Sequence, residues 1–189
     1  MNRASQLILL RHAEKEITPF EDPHLTHKGF QQSEALLNEV QRHRLPIPTQ
    51  LWASTKIRTS QTLQPTAQHF RLQAETTDLL NLRQSNESPS RFRERIELFC
   101  KKITLSAAEN SAPAIHFACT HYDWIEEAMT LINCDKDLNT FEFLHWAPAQ
   151  YIVFQLPSIF SEPWKFIRLG TSSKDSTGGS TGDSTGDLI

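Results

Sequence analysis

The sequence predicts an α/β fold: a three-layer α/β/α sandwich around a mainly parallel sheet with an antiparallel edge. The first observation is the apolar run Leu7-Ile8-Leu9-Leu10 between polar flanks, the mark of a strand buried on both faces. The second is that similar short runs alternate along the chain with longer segments whose apolar residues recur at helical spacing. Strand–helix alternation of this kind builds helices over both faces of one sheet.

The elements follow in order. Thr26 is a good N-cap for a helix through Arg42, with Phe30, Leu36, Leu37 and Val40 as its apolar face. Pro46 and Pro48 close that unit, and Gln50–Ser54 forms the second strand. A helix from about Arg58 to Phe70 and a third strand near Leu72–Thr77 come next. Asn81–Pro89 reads as a loop. A helix from Ser90 to Ile103 carries Phe92, Ile96, Phe99 and Ile103 on one face. The fourth strand is Ala114–Cys119, followed by a helix near Trp124–Ile132 and two edge strands, Gln150–Gln155 and Trp164–Leu169. Residues 1–169 are expected to form one domain. Residues 170–189, rich in Ser, Thr, Gly and Asp, repeat Ser-Thr-Gly-Asp and have little to bury, so they read as a disordered tail.

Composition excludes several classes of function. A net charge of −3 supplies no field for gripping nucleic acid or an anionic membrane. Met1–Gln6 leads straight into the first strand without room for a signal peptide, and no apolar run approaches a membrane span. Cys100, Cys119 and Cys134 are odd in number and lack paired spacing, as expected of reduced thiols in a cytoplasmic protein. Neither nucleic acid nor a membrane is expected as a partner, and oligomeric state stays open. Trp52, Trp124, Trp146 and Trp164 read as core or rim aromatics. His24-x-x-His27 lacks a third ligand at metal-binding spacing, and neither a metal nor an organic cofactor is expected.

The chemistry sits at strand ends. The first strand ends in Arg11-His12, where open α/β sheets bind ligands. An imidazole can attack phosphorus while a neighbouring guanidinium holds phosphate oxygens in a fork. Gly29 is the only glycine before Gly170, so no glycine-rich loop can cradle a phosphate with backbone N–H groups. Side chains must hold it instead. Ser54-x-x-x-Arg58-x-x-x-Thr62 puts Arg58 and Thr62 one turn apart on a helix face, with Arg58 near the N-terminus, where anions are favoured. Thr120-His121 ends the fourth strand. Ser54 and Thr62 read as a helix cap and a packing contact.

Four motifs in this order resemble the histidine phosphatase superfamily, with its phosphoglycerate mutase-like fold. They are Leu9-Leu10-Arg11-His12-Ala13-Glu14, Leu25-Thr26-x-x-Gly29-x-x-Gln32, Ser54-x-x-x-Arg58-x-x-x-Thr62 and Thr120-His121. Arg-His-Ala-Glu-Lys with Asp22-Pro23-x-Leu25-Thr26 is most similar to the short bacterial phosphohistidine phosphatases. The resemblance implies a metal-independent phosphatase with His12 as nucleophile, Arg11 and Arg58 on the phosphoryl oxygens, and His121 donating from the opposite side. Glu14 and Thr120 are further candidate phosphate-binding residues.

The departures are also informative. Where many members of the family carry a glutamate general acid, this chain has Leu82, in Leu80-Asn81-Leu82-Arg83. A usual asparagine after the first histidine is missing at Glu16 and Ile17, and Tyr122 stands where glycine commonly follows the second. Three explanations are open. Asp123 or Glu87 supplies the acid; the substrate is a phosphoramidate whose imidazole leaves without one; or the chain is a non-catalytic phosphate-binding or scaffold protein. Intact phosphate-pocket residues argue against the last.

Overall fold

The computed structural model describes residues 4–109, 112–159 and 161–172. Six strands form one sheet in the order β3-β2-β4-β1-β5-β6. They are β1 (Gln6–Arg11), β2 (Gln50–Ala53), β3 (Ala74–Thr76), β4 (Ile115–Thr120), β5 (Gln150–Gln155) and β6 (Lys165–Thr171). Strands β3, β2, β4 and β1 pair in parallel, and β5 pairs antiparallel with both β1 and β6. Helices α1 (His27–Gln41) and α2 (Ile57–Phe70) cover one face; α3 (Pro89–Glu109) and α4 (Tyr122–Leu131) cover the other.

Alternation along β1 divides the core. Leu7 and Leu9 join Phe92, Ile96, Phe99, Ile103, Trp124 and Ile125 beneath α3 and α4. Ile8 and Leu10 pack with Leu36, Val40 and Leu63 beneath α1 and α2. Every residue of β4 is buried, which is why a central parallel strand reads as a nearly continuous apolar run. All four tryptophans lie in the core.

Some boundaries differ from expectation. Leu72 does not open β3: its N–H caps α2 through the Ala67 carbonyl, after Arg71 turns left-handed at φ 54°. The expected Asn81–Pro89 loop is entered through a 3-10 turn at Asp78–Leu80, and Pro89 already belongs to α3. Strand β6 continues past Leu169, so Gly170 and Thr171 pair with Tyr151 and Gln150 instead of opening a tail. A Cβ on Gly170 would lie 2.6 Å from the Tyr151 ring, so this glycine serves packing. Ser172 is buried as well, its N–H donating to the Ala149 carbonyl at 3.0 Å, and residues 173–189 of the expected tail lie outside the described residues. Phe30 is 41% exposed, against its expected place on the apolar face. The inward positions of that helix half are instead Gly29, Gln32 and Ser33, because α1 there meets backbone. A Cβ on Gly29 would sit 2.0 Å from the Glu14 carbonyl oxygen, so only glycine permits this approach.

His116 on β4 is fully buried; its Nδ1 accepts from Trp52 Nε1 at 3.2 Å, and its Nε2 is buried without a partner. Burial pulls its pKa from 6.5 down to about 4. Between those values the unfolded chain binds a proton that the folded one excludes, so stability falls as pH drops through this window. One such group changes unfolding free energy by at most about 1.4 kcal/mol per pH unit. His116→Asn keeps an acceptor for Trp52 and should flatten the loss measured by denaturant titration from pH 6.5 to 4. An unchanged slope would refute the assignment.

Candidate active site

The carboxyl ends of β1, β2 and β4 bring His12, Arg58 and His121 together, with Arg11 alongside. His12 directly follows β1 and is tied down on all sides. Its N–H donates to the Thr120 carbonyl at 2.9 Å and its carbonyl accepts from Ala149 N–H at 3.3 Å. The next N–H, that of Ala13, donates to Thr62 Oγ1 at 2.9 Å, while Glu14 N–H donates to Gln32 Oε1 at 2.8 Å. Helices α1 and α2 thus clamp the backbone of the His12 loop. The imidazole Nδ1 lies 2.8 Å from the Ala13 carbonyl oxygen, which can only accept, so Nδ1 carries the proton and Nε2 holds a free lone pair.

The second imidazole has the opposite arrangement. Arg58 Nη2 lies 3.2 Å from His121 Nδ1, and a guanidinium can only donate, so Nδ1 is unprotonated. The ring proton is therefore on Nε2, which donates to Ser54 Oγ at 2.8 Å. The Ser54 hydroxyl in turn donates to Thr59 Oγ1 at 3.1 Å, because Thr59 donates its own hydrogen to the Lys56 carbonyl at 2.7 Å. The imidazoles meet edge to face, their centroids 5.3 Å apart.

Burial and the two guanidiniums keep both rings neutral. The pKa of His12 is pulled down to about 3, first by burial and then by Arg58, Arg11 and Lys15. His121 is depressed further, by burial, Arg58 and His12. Arg11 donates through Nη1 to the Trp146 carbonyl and lies 5.4 Å from the centre of the Tyr122 ring. Arg11 Nε and Arg58 Nε are both buried without a partner. Unpaired cationic donors beside a free imidazole lone pair form a site suited to an anion.

Other expected residues take different places. The Glu14 carboxylate is drawn away by Lys28 at 2.8 Å and Thr26 at 3.0 Å. It borders a cavity of about 600 Å³ whose lining includes none of the four clustered residues. Thr120 Oγ1 donates to the Leu80 carbonyl at 2.7 Å, so this hydroxyl braces the 3-10 turn while the backbone serves His12. Glu87 is gripped by Arg95 Nε and Nη2 at 2.9 and 2.8 Å, which lowers its pKa and keeps it ionised. A carboxylate held in that state is a poor proton donor, which argues against Glu87 as the general acid. Asp123, in the first turn of α4, accepts from Arg83 N–H at 2.7 Å and lies within the electrostatic reach of Arg11 and Arg58. His24 and His27 bond to Gln61 and Gln31, and no metal-binding group of three His, Cys, Asp or Glu occurs among the described residues.

Two neighbours of the site were not legible in the sequence as such. Ser54 does not cap α2 but orients His121, and Asp22 contacts Arg58 Nη1 at 3.4 Å. Asp22-Pro23 and Ser54, both within the motifs quoted for the resemblance, were the available signal. Ser54→Ala leaves the buried His121 Nε2–H without its acceptor, a loss of about 1–3 kcal/mol. Turnover of a phosphorylated substrate should fall about tenfold or more, and restoration by Ser54→Thr would identify the hydroxyl as the cause. Unchanged turnover in Ser54→Ala would refute that orienting role.

No helix among the described residues is long and apolar enough to cross a membrane. Residues 7–83 match the family model described as the histidine phosphatase superfamily (branch 1). The chain has no significant match among curated proteins. The fold is similar to the protein histidine phosphatase SixA solved with tungstate, with a TM-score of 0.67 and 15% identity over 88% of this chain and 97% of that one. It is also similar to mycobacterial hydrolase 2, with a TM-score of 0.70 and 15% identity, covering 93% and 94% of the two chains. A mycobacterial glucosyl-3-phosphoglycerate phosphatase gives a TM-score of 0.62 and 15% identity, covering 89% and 98%. The match to the histidine phosphatase superfamily model thus spans β1, α1, β2 and α2, and the chain shares its fold with these three proteins.

Proposed function

We propose that the protein is a metal-independent phosphatase working through a phosphorylated His12. The observation that carries this reading is the His12 ring: Nδ1–H is held by the Ala13 carbonyl, and Nε2 is left with its lone pair beside two guanidiniums. Nε2 attacks phosphorus as the bond to the leaving group breaks. Water then attacks the same phosphorus, the P–N bond breaks, and inorganic phosphate is released. Arg11 and Arg58 bear the oxygen charge throughout, through donors that include their unpaired Nε atoms. Such loose transition states need positioning and charge stabilisation above all. The incoming anion opposes the burial that keeps His121 neutral. A phosphoryl group arriving as its monoanion gives its P–OH proton to Nδ1, whose N–H then donates to that phosphoryl oxygen.

The substrate class we favour is protein phosphohistidine, with a small phosphomonoester second. Leu82 stands where many relatives carry the acid and cannot protonate an alkoxide, whereas imidazole is an easily expelled leaving group. The SixA protein described above is a protein histidine phosphatase, which agrees with this order. For an ester, Asp123 is the remaining candidate acid: protonated, it would give its proton to the leaving oxygen and recover one from the attacking water. A phosphate-binding protein without turnover is the alternative reading.

Hydrolysis of p-nitrophenyl phosphate in excess EDTA should occur in the native chain and vanish in His12→Ala. Absence of turnover on any phosphorylated substrate would favour the binding protein. A phosphohistidine peptide should be cleaved faster than an alkyl phosphate, and faster cleavage of the alkyl ester would overturn the argument from Leu82. Asp123→Asn should slow the alkyl ester by about 10²-fold or more while sparing phosphohistidine; equal effects on both would remove Asp123 as the acid.

A further inference from the structure

We propose that Asp22 is a built-in counter-ion for Arg58, competing with product phosphate for the guanidinium and weakening its hold on that phosphate. The inference rests on the phosphate-pocket reading given above. Asp22 lies on the β1–α1 connection, far from Arg58 in sequence, yet it is the carboxylate in contact with this arginine. Its anchorage is mainly to backbone. Oδ1 and Oδ2 accept from Ile57 N–H at 3.1 and 3.2 Å, at the start of α2, where the N-cap residue Lys56 supplies no side-chain cap. The surrounding loop is pinned to the same helix. Lys56 Nζ donates to the Glu21 carbonyl at 3.2 Å, and Leu25 N–H donates to Gln61 Oε1 at 2.9 Å.

The contact with Arg58 is looser. At 3.4 Å it is longer than the 2.7–2.9 Å typical of a strong charge-assisted hydrogen bond. Asp22 is therefore held in place whether or not Arg58 stays with it, and the guanidinium can turn to an arriving anion without unfastening the loop. The Asp22 side chain is 39% exposed and that of Arg58 is 6% exposed, so the carboxylate stands at the outer, solvent side of the buried cation. A phosphoryl group on Arg58 then faces a fixed negative charge a few ångströms away. This repulsion acts on substrate and product alike, and it matters most for inorganic phosphate, which has no leaving group to contribute binding elsewhere. Asp22 is a positioning residue in this scheme and touches no reacting atom.

The test is the affinity for inorganic phosphate, measured by calorimetric titration and by competition against p-nitrophenyl phosphate. Asp22→Asn keeps an oxygen to cap Ile57 and removes only the charge. It should bind phosphate about tenfold more tightly at low salt, with an unchanged melting temperature. The gain should shrink as ionic strength rises. Asp22→Ala should show the same tightening together with a lower melting temperature, because the cap is lost. Equal or weaker phosphate binding in Asp22→Asn overturns the counter-ion role, even where the native chain binds phosphate. If the native chain binds no phosphate and Arg58→Ala changes nothing, the pocket reading itself falls, and this inference with it.

Discussion

Two guanidiniums and two imidazoles are brought to one buried point, and everything else in the site follows from keeping that assembly stable. Four positive groups could not share such a space. The solution is to leave the rings uncharged: burial and the neighbouring arginines depress both histidines far below neutrality. Neutral rings must then be told where their single proton goes. The Ala13 carbonyl does this for His12, and Arg58 and Ser54 do it for His121. The free lone pair of the proposed nucleophile results from the same contacts that make the cluster tolerable.

The scaffold serves this arrangement more than it serves the hydrophobic core alone. Parallel strands β1 and β4 are in register such that Arg11 lies opposite Thr120, and His12 is fixed by the Thr120 carbonyl. Thr26 caps α1 and bonds to Glu14, Gly29 lets α1 approach the Glu14 carbonyl, and Gln32 and Thr62 receive successive loop N–H groups. The backbone after His12 is therefore held from two helices. In the proposed reaction, a ring positioned this way loses little conformational freedom on meeting its substrate.

The clustered four residues were legible because strand ends converge in a parallel sheet, and Arg11, His12 and His121 stand at those ends while Arg58 opens a helix beside them. The supporting contacts were not. Ser54 and His121 are 67 residues apart, and no local pattern tells a helix cap from a ring-orienting hydroxyl. Glu87 looked available because Arg95, its partner, is a helical turn and more away in the sequence. Phe30 misled for a different reason: hydrophobic type suggested the inward face, but close backbone approach requires Gly29, Gln32 and Ser33 there. Gly170 was read from composition as the start of a tail, whereas Tyr151 demands a glycine at that place in β6.

The central claim is that the lone pair on His12 Nε2 is the group that takes the phosphoryl moiety. Brief reaction with a ³²P-labelled substrate, quenched in base and digested, should yield label on the peptide carrying His12, with the phosphorus resonance of the Nε2 isomer. Label on Nδ1, label on any other residue, or hydrolysis with no labelled protein at any time point would contradict the account.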